Sequence, residues 1–503
     1  MTLRRLGLPV FALLLYLTLT RFGWSSYPRV WVDEGWITEA AWTQARTGFL
    51  GTPSHGELYR YADRVYWMPP LYFLVQSGGI RMGLDPLFAG RWVSLFAGAL
   101  GLLLVLVLGD RLLRERSGDI SQDRLREREM GLWLLWLVLA FTLDPVMWKV
   151  HRSVRFESLT GLGILGAVAA AAALPGFLAG LLAGAAAGLA ALTHPTGALA
   201  LPIALGILYL RPGATRRRKR ITLLAALGAF ALLLLPFLIY VAQDRASGFA
   251  NVLGQNTPHL AGRTAPLPAQ WLGEWARYRS YFAWPALALP LLLWAGTLAL
   301  ALWNRAPRWL WWPLAVLLGG FACLPNKTEL YLTLAAPFVY LLAVRTGSRI
   351  RRRGVIWAVA GVWLATLAAA DVVLLRRDRG CRYREWTAPI VAALPPNTSV
   401  AGTYVTWFPV REHPYLEFHR RRAGDLALAQ PDYVLWGGHH LEDPIFARLR
   451  RELGPFLAGH ADTLAVTSSA CYGTVTLVRP RWNELAPTIR STWERFGEGD
   501  PAS

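Results

Sequence analysis

Cysteine is scarce in this sequence: the 503-residue chain contains only three. They form no cluster with histidine at the spacing of metal ligands, and three thiols allow at most one disulfide. The sequence therefore indicates neither a zinc module nor a disulfide-rich domain.

Phosphate-binding loops are also missing. No GxxxxGK(S/T) segment occurs, which excludes a transporter driven by its own ATPase domain. A GxGxxG match, Gly161-Leu162-Gly163-Ile164-Leu165-Gly166, lies in an apolar stretch with no strand before it, so helix packing is the better interpretation. Glycines at every fourth position from Gly176 to Gly188 form a smooth stripe and predict the same close packing.

A cleavable leader is not favoured at the N-terminus. Arg4 and Arg5 precede the apolar run Leu6–Leu19, as they would in a signal peptide, but no small-residue cleavage site of the A-x-A kind follows. We therefore expect this run to remain as a membrane span.

Apolar residues, by contrast, are abundant and clustered. They make up 54% of the chain, the mean hydropathy is +0.32, and several runs are long enough to cross a bilayer as helices. The sequence predicts an α-helical polytopic membrane protein with about eleven spans. They are 6–24, 87–108, 130–147, 157–174, 176–192, 195–210, 221–242, 283–303, 309–324, 329–344 and 355–375.

The charge pattern predicts the orientation in the membrane. With the N-terminus in the cytoplasm, the short inside segments hold about 21 Lys and Arg in about 50 residues, against about 13 in about 120 residues outside. The net charge of +20 would suggest nucleic acid in a soluble protein. Here the basic run 216–220 lies between two spans, so it is interpreted as a topology anchor and no nucleic-acid partner is expected. We predict a multi-pass protein of the plasma or inner membrane with an extracytoplasmic C-terminus.

Two domains follow from this topology. Residues 1–375 form a membrane domain with outside loops at about 25–86 and 243–282, and residues 376–503 form a small extracytoplasmic α/β domain. In that tail, strands are predicted at 399–405, 432–436, 463–467 and 474–478, with a helix over 441–453. Cys381 and Cys471 both fall in the tail and could pair in an oxidising compartment or remain as separate thiols.

The first candidate catalytic residues are the adjacent carboxylates Asp33 and Glu34, just past the first span. Charged groups at the membrane surface are costly unless they have a function, and a carboxylate there can act as general base on an acceptor hydroxyl. An alternative is that the two acids only decorate a helix N-terminus, where the helix dipole favours them.

A set of motifs in order along the chain sharpens the first interpretation. Pro69-Pro70-Leu71-Tyr72 follows the acidic pair, and the further motifs are Arg91, Arg155-Phe156-Glu157, Thr193-His194-Pro195-Thr196-Gly197, and Lys327 with Tyr331. This arrangement resembles the polyprenyl-phosphate-dependent glycosyltransferases of the GT-C fold, in particular the bacterial relatives of protein O-mannosyltransferases and of the lipid A aminoarabinose transferase. The resemblance covers about residues 6–375.

The resemblance implies an inverting sugar transfer in which a polyprenyl phosphate leaves. Asp33 would be the general base and Glu34 a supporting acid. Cations stabilise charge on a leaving phosphate, so the implied donor- or substrate-binding residues are Arg155 and Lys327, then Arg60, Arg64 and His151, together with Tyr331 and Glu157. For the basic residues the alternative is that they snorkel to lipid headgroups.

The chain departs from the family pattern at two positions. Met68 stands where relatives often have Lys or His, which puts the donor-binding scheme in doubt, and His194 stands where they often have the Lys of Thr-Lys-Pro. A divalent cation is left open, since His55 and Glu57 are only two candidate ligands at unconstrained spacing.

Two other functions are alternatives to sugar transfer. A secondary transporter or lipid flippase would be expected to carry repeated halves, and none is found. A non-catalytic subunit is opposed by the intact Asp33 and Glu34. The acceptor could be a protein, a glycolipid or a cell-wall polysaccharide, and mannose, arabinose and aminoarabinose donors all suit the layout.

Overall fold

The structure is a computed structural model. It describes residues 3–24, 27–56, 60–114, 123–211, 215–243, 251–252, 255, 267–274, 285–303, 306–324, 328–350, 352–418, 423–443 and 446–484.

Helices dominate the chain up to residue 393. The predicted spans overlap helical segments, although the third is divided between two helices, and two segments begin with a 3-10 turn, at Pro195–Leu199 and Glu329–Tyr331. The helices are α1 Leu3–Arg21, α2 Val32–Thr47, α3 Leu71–Arg81, α4 Pro86–Arg114, α5 Asp123–Leu143, α6 Pro145–His151, α7 Phe156–Ala173, α8 Gly176–Ala191, α9 Ala200–Leu210, α10 Arg216–Ala242, α11 Leu267–Leu272, α12 Pro285–Trp303, α13 Arg308–Ala322, α14 Leu332–Gly347, α15 Arg353–Asp378 and α16 Tyr383–Ala393.

Length and composition support a membrane-spanning body. Among the described residues, five helices are individually long and apolar enough to cross a membrane, and α5 with α6 passes the same test as a bent pair. The bend of 62° corrects the third predicted span, since 130–147 is not one continuous helix. Its cause is local: Asp144 caps α6 by accepting from the Val146 and Met147 N–H groups, and Pro145 begins the new helix.

The glycine-rich helices pack as predicted. At Gly180 and Gly184 a Cβ would collide with the backbone carbonyl oxygens of Thr222 and Ala226 in α10, and at Gly163 it would lie 2.8 Å from the Cβ of Ala190 in α8. The glycines therefore allow close contact between helices, and the GxGxxG match is a packing feature.

The C-terminal segment is an α/β unit. After α16 its elements are β1 Val400–Gly402, α17 Tyr404–Val410, β2 Tyr415–Glu417, α18 Ala423–Ala429, β3 Tyr433–Gly437, α19 Ala447–His460, β4 Ala461–Ser469 and β5 Gly473–Pro480. The strands form a mixed five-stranded sheet in the order β2-β1-β3-β5-β4. β1 is parallel to β2 and β3, and β5 is antiparallel to β3 and β4.

Two details of this segment differ from the predictions. The first predicted strand ends at Gly402, because residues 404–410 turn into α17, and β2 was not predicted. The predicted helix 441–453 begins only at Ala447 and runs to His460. Short β-rich stretches that are bounded by proline carry too little periodicity to separate strand from helix.

By its contacts the chain divides into two compact units. The first unit contains residues 1–24, 66–76 and 88–376, and the second contains 25–65, 77–87 and 377–503. In this division residues 25–65 and 77–87 group with the tail, whereas residues 66–76 group with the first unit. The two-domain division at residue 375 stays a prediction.

A disulfide joins Cys381 and Cys471 in the second unit, with their Cα atoms 5.4 Å apart. It closes a loop with a sequence separation of 90, which in the chain-entropy model stabilises the fold by about 4–5 kcal/mol. We expect a non-reducing tryptic digest of oxidised membranes to yield the two peptides cross-linked, as detected by mass spectrometry, and Cys323 to remain alkylatable. Recovery of all three as free thiols would contradict this pairing.

Candidate functional site

Asp33 lies in the first turn of α2, in the second unit, and its side chain is partly exposed. Extended backbone at Trp31 precedes the helix, so the carboxylate stands where the free backbone N–H groups of the helix begin. An accessible carboxylate is what a general base requires.

Glu34 has a different environment from its neighbour. Its side chain is only 1% exposed, and its Oε2 accepts a hydrogen bond from the Trp31 N–H at 3.1 Å. The Glu34 side chain thereby folds back onto the residue before the helix and holds the start of α2 in place. The helix-terminus alternative raised for the pair therefore describes Glu34 well.

The chain before Asp33 is held by the C-terminal segment of the same unit. The Val30 N–H donates to the Tyr472 hydroxyl at 3.0 Å, and Arg29 Nη1 donates to the Cys471 carbonyl at 3.0 Å. Just after Asp33, Gly35 leaves no room for a Cβ beside the Tyr404 carbonyl oxygen. Asp33 is consequently fixed from both sides by residues more than 350 positions later in sequence.

His440 is a neighbour of Asp33 that sequence analysis missed. Its ring meets the Trp31 ring edge-on at 6.1 Å, and it lies within electrostatic range of Asp33 and Arg29. Burial, followed by repulsion from Arg29, lowers the pKa of His440 to about 4. The imidazole is therefore neutral at pH 7, and it adds no positive charge beside Asp33.

A buried hydrogen-bond network surrounds Glu39, further along α2. Glu39 is 3% exposed and accepts from the Ser54 N–H at 2.9 Å, from the Ser54 hydroxyl at 2.7 Å and from the Tyr404 hydroxyl at 2.7 Å. The Tyr404 hydroxyl also contacts His55 Nδ1 at 2.8 Å. The network ties α2 to the loop after it and to α17.

The network predicts a pH dependence of stability. Burial raises the pKa of Glu39 from 4.5 to about 7, so the folded state holds this proton over a range in which the unfolded chain has lost it. Its contribution to stability is present below pH 4.5 and is lost as pH rises to about 7. Fully expressed, the change is about 3 kcal/mol.

Thermal unfolding of the purified protein from pH 4.5 to 7.5 measures this effect. We expect Glu39→Gln to flatten the decline, while Glu385→Gln, at an exposed acid of the same unit, keeps it. An unchanged slope in Glu39→Gln would assign the decline to another group.

Of the two metal candidates, only His55 lies within the described residues. His55 is occupied by Tyr404 and stacks on Tyr61 with ring centroids 4.8 Å apart, and Glu57 lies outside the described residues. Over the described ranges, no group of three or more His, Cys, Asp or Glu is arranged to hold a metal ion.

Arg60 and Arg64 in the same unit share one acid. Arg60 forms an ion pair with Asp63, and Arg64 Nε lies 4.0 Å from the same carboxylate. Their positive charge is therefore partly offset before any substrate arrives. Arg60 also adopts a left-handed backbone conformation, with a φ of 61°.

In the first unit, the Pro-Pro-Leu-Tyr motif and the Arg-Phe-Glu motif meet. The Tyr72 hydroxyl accepts from the Arg155 N–H at 3.1 Å and donates to the Gly90 carbonyl at 2.9 Å, and the Ser94 hydroxyl donates to the Arg155 carbonyl at 3.3 Å. The backbone of Arg155 is thus fixed on both sides of its Cα, and the residue as a whole is partly exposed.

The start of the tenth predicted span brings further candidates to this region. Glu329 pairs with Lys149 at 3.2 Å and lies within electrostatic range of Arg155. Tyr331, two residues on, is buried against His194, with ring centroids 5.7 Å apart. Lys327, the second cation predicted for the phosphate, lies outside the described residues.

His194 and His151 both have structural environments. His194 Nδ1 accepts from the Thr196 N–H at 3.1 Å and so caps the 3-10 turn, as expected of a lone histidine at a helix start. His151 is 5% exposed and packs against the Tyr16 and Phe141 rings.

Glu157 differs from these histidines. It is 5% exposed, and its Oε2 finds no hydrogen-bond partner among the described residues. A buried carboxylate oxygen in this state can accept from a ligand hydroxyl.

Glu39, His440 and Lys149 are the residues that motif analysis did not identify. An acid between Thr38 and two alanines on an otherwise apolar helix face was one available signal. The Gly-Gly-His-His run directly after a predicted strand was another, since loops at strand ends often carry functional groups.

No family model and no curated protein sequence matches the chain. Among solved structures it is similar to ArnT from Cupriavidus metallidurans bound to undecaprenyl phosphate, with a TM-score of 0.60 and 15% identity over 94% of this chain and 98% of that one. The apo structure of the same protein matches with a TM-score of 0.58 at the same identity and coverage. The chain therefore has the polytopic GT-C fold with a small C-terminal α/β domain that the sequence predicted.

Proposed function

We propose that this protein transfers a sugar from a polyprenyl-phosphate donor to an acceptor hydroxyl at the outer face of the membrane. The observation that carries the proposal is the end-to-end similarity of fold to ArnT, whose structure holds undecaprenyl phosphate. The ordered motifs and the placement of Asp33 support it. The acceptor is a protein, a glycolipid or an envelope polysaccharide, and the sugar is a hexose or a pentose.

In the proposed reaction Asp33 is the general base. The acceptor oxygen attacks the anomeric carbon, the bond from that carbon to the phosphate oxygen breaks with inversion, and Asp33 takes the hydroxyl proton. The polyprenyl phosphate leaves with the bonding electron pair. Asp33 suits this role because it is partly exposed at a helix N-terminus and held by its neighbours.

In this proposal Glu34 has a structural role. Its bond to the Trp31 N–H is already formed, so it supports catalysis by holding the first turn of α2 in place. We expect it to position Asp33 without contacting the acceptor.

Charge on the leaving phosphate requires cations, and Arg155 is the leading candidate among the described residues. Its fixed backbone and partial exposure support this role, and Lys327 is proposed as the second cation. Tyr331 and Glu157 are proposed to contact the donor sugar. Arg60 and Arg64 are less favoured as phosphate-binding residues because Asp63 already pairs with them. His151 is the least favoured because its ring is packed among aromatic rings.

Incubation of membranes that contain the protein with labelled polyprenyl-phosphate sugars tests the function. We expect a labelled acceptor and free polyprenyl phosphate in equal amounts, absent from membranes without the protein. Movement of intact labelled donor between leaflets, with no new glycosidic product, would establish a flippase in its place.

The sidedness of the reaction gives a separate prediction. In intact cells or spheroplasts, an impermeant thiol reagent should label a cysteine placed at Ser503 and fail to label one at Thr215, because the basic segments are expected to face the cytoplasm. The labelling is read against permeabilised cells, where both positions should react. The reverse pattern would put Asp33 on the inner face and exclude the proposed reaction there.

A further inference from the structure

An apolar groove opens between α9, α10 and α13 in the first unit. Its volume is about 870 Å³, and its walls include Leu205, Tyr209, Leu227, Trp311 and Trp312. The Tyr209 side chain is 63% exposed, Leu227 is 42% exposed and Trp312 is 37% exposed. Apolar surface of this extent in a membrane body is a site for an apolar chain.

One wall of the groove is held in place by a specific contact. Gly206 has no side chain, and a Cβ there would overlap the Trp312 indole, so glycine lets the ring lie on α9. The indole N–H then donates to the Pro202 carbonyl at 2.8 Å, which fixes the ring as a wall of the groove. The shape therefore depends on a specific contact.

One end of the groove is strongly basic. Arg308 lines it at the start of α13, and the basic run 216–220 opens α10 beside it. Lys219 Nζ donates to the Tyr209 carbonyl at 2.7 Å, so this ammonium group is held next to a groove residue. The mouth combines a wall of aromatic rings with cations.

This positive charge is not offset by the sequence around it. No acidic residue occurs between Glu157 and Asp244 or between Glu274 and Glu329. α10 and α13 also both present their N-termini here with basic residues and no acid in the first turn, and the helix dipole opposes cations in that position. A bound anion would offset the uncompensated positive charge and would interact favourably with the two helix dipoles.

We propose that this groove binds an anionic glycerophospholipid, with an acyl chain along the apolar walls and the phosphate at Arg308 and Lys219. The predicted orientation puts these helix ends at the cytoplasmic face, opposite to the face where the sugar donor is used. That placement favours a membrane phospholipid over the polyprenyl carrier as the occupant. The lipid groove shares no residue with those proposed for sugar transfer.

Binding is tested on the purified full chain in detergent. Native mass spectrometry compares phosphatidylglycerol with phosphatidylcholine of the same acyl chains. We expect phosphatidylglycerol to bind at least about tenfold more tightly, because two cations contact its net negative headgroup. The double substitution Lys219→Gln with Arg308→Gln should remove this preference, whereas Arg352→Gln, at an exposed arginine outside the groove, should retain it.

A second variant tests the groove itself. Ala315→Trp fills the groove without removing a cation and should weaken phosphatidylglycerol binding by about tenfold, while Val362→Trp on exposed α15 should not. In the wild-type protein, phosphatidylglycerol with a photoreactive acyl chain should cross-link to peptides of α9 or α13. This measurement does not depend on any variant folding.

Three results would overturn the proposal. The first is equal binding of the two phospholipids, and the second is a phosphatidylglycerol preference that survives loss of both cations. The third is tighter, competing binding of polyprenyl phosphate with cross-links to the same helices, which would assign the groove to the carrier.

Discussion

Replacement of Asp33 by asparagine should lower sugar transfer by about three powers of ten or more, with expression and donor binding nearly unchanged. Asparagine keeps the shape of the side chain and removes only its ability to take a proton. The bonds that hold this region involve the Val30 N–H, Arg29 and Glu34, so the substitution leaves them in place. The measurement is kcat with a labelled polyprenyl-phosphate sugar.

Two companion variants make the Asp33 result specific. Asp462→Asn changes an exposed acid on β4 and should leave transfer unaltered. Glu34→Gln should cost one to two powers of ten at most, because an amide oxygen can still accept from the Trp31 N–H. Activity of Asp33→Asn within threefold of wild type would move the role of base to another acid, and equal losses at both positions would remove the distinction between them.

Replacement of Arg155 by glutamine should lower kcat/KM by about 100-fold, the size expected when one charge-stabilising group is removed from a transition state. The backbone bonds to Tyr72 and Ser94 do not involve the guanidinium group, so the local fold should persist. Because the charge on the phosphate grows as the sugar departs, we expect most of the loss in kcat. The kcat values of donors with different leaving phosphates, compared at saturation, measure how much charge develops on the phosphate.

Lysine at position 155 separates charge from geometry. Arg155→Lys keeps a cation but loses the planar fork that can make two bonds to a phosphate, so an intermediate activity is expected. Arg382→Gln is the matched control, since that arginine is exposed and pairs only locally with Glu385 at 2.8 Å. A loss smaller than threefold in Arg155→Gln would show that the phosphate binds elsewhere.

The long apolar helices were predictable because the bilayer requires about 20 apolar residues in a row and leaves backbone groups no partner except within the helix. The bend at Asp144 was harder to predict, although the Asp-Pro pair is a helix-start signal. It falls inside an apolar run, where hydropathy alone predicts continuity. The strands β3, β4 and β5 were predicted and β1 was predicted too long, whereas β2 has only three residues and is too short for a pattern.

The candidate site was predictable only in part, for a physical reason. Asp33 was found because its position after a span made its charge unusual. The partners that hold it could not be found, because Tyr404, Cys471 and Tyr472 approach α2 only through the folding of a distant segment. The role of Glu34 as a cap was an open alternative until the bond to Trp31 was seen.

The distance along the chain between α2 and its partners has a consequence for biosynthesis. The Ser54 and Tyr404 hydroxyls are separated by 350 residues and the Val30–Tyr472 bond spans 442, so these contacts form only after nearly all of the chain has been synthesised. At about 5–20 residues per second, the nascent α2 waits on the order of 20–90 s for its partners. Ribosome-bound chains shorter than about residue 480 should therefore be inactive even when all their spans are inserted. Under the proposed function, sugar donor in the membrane is then not consumed by unfinished copies of the protein.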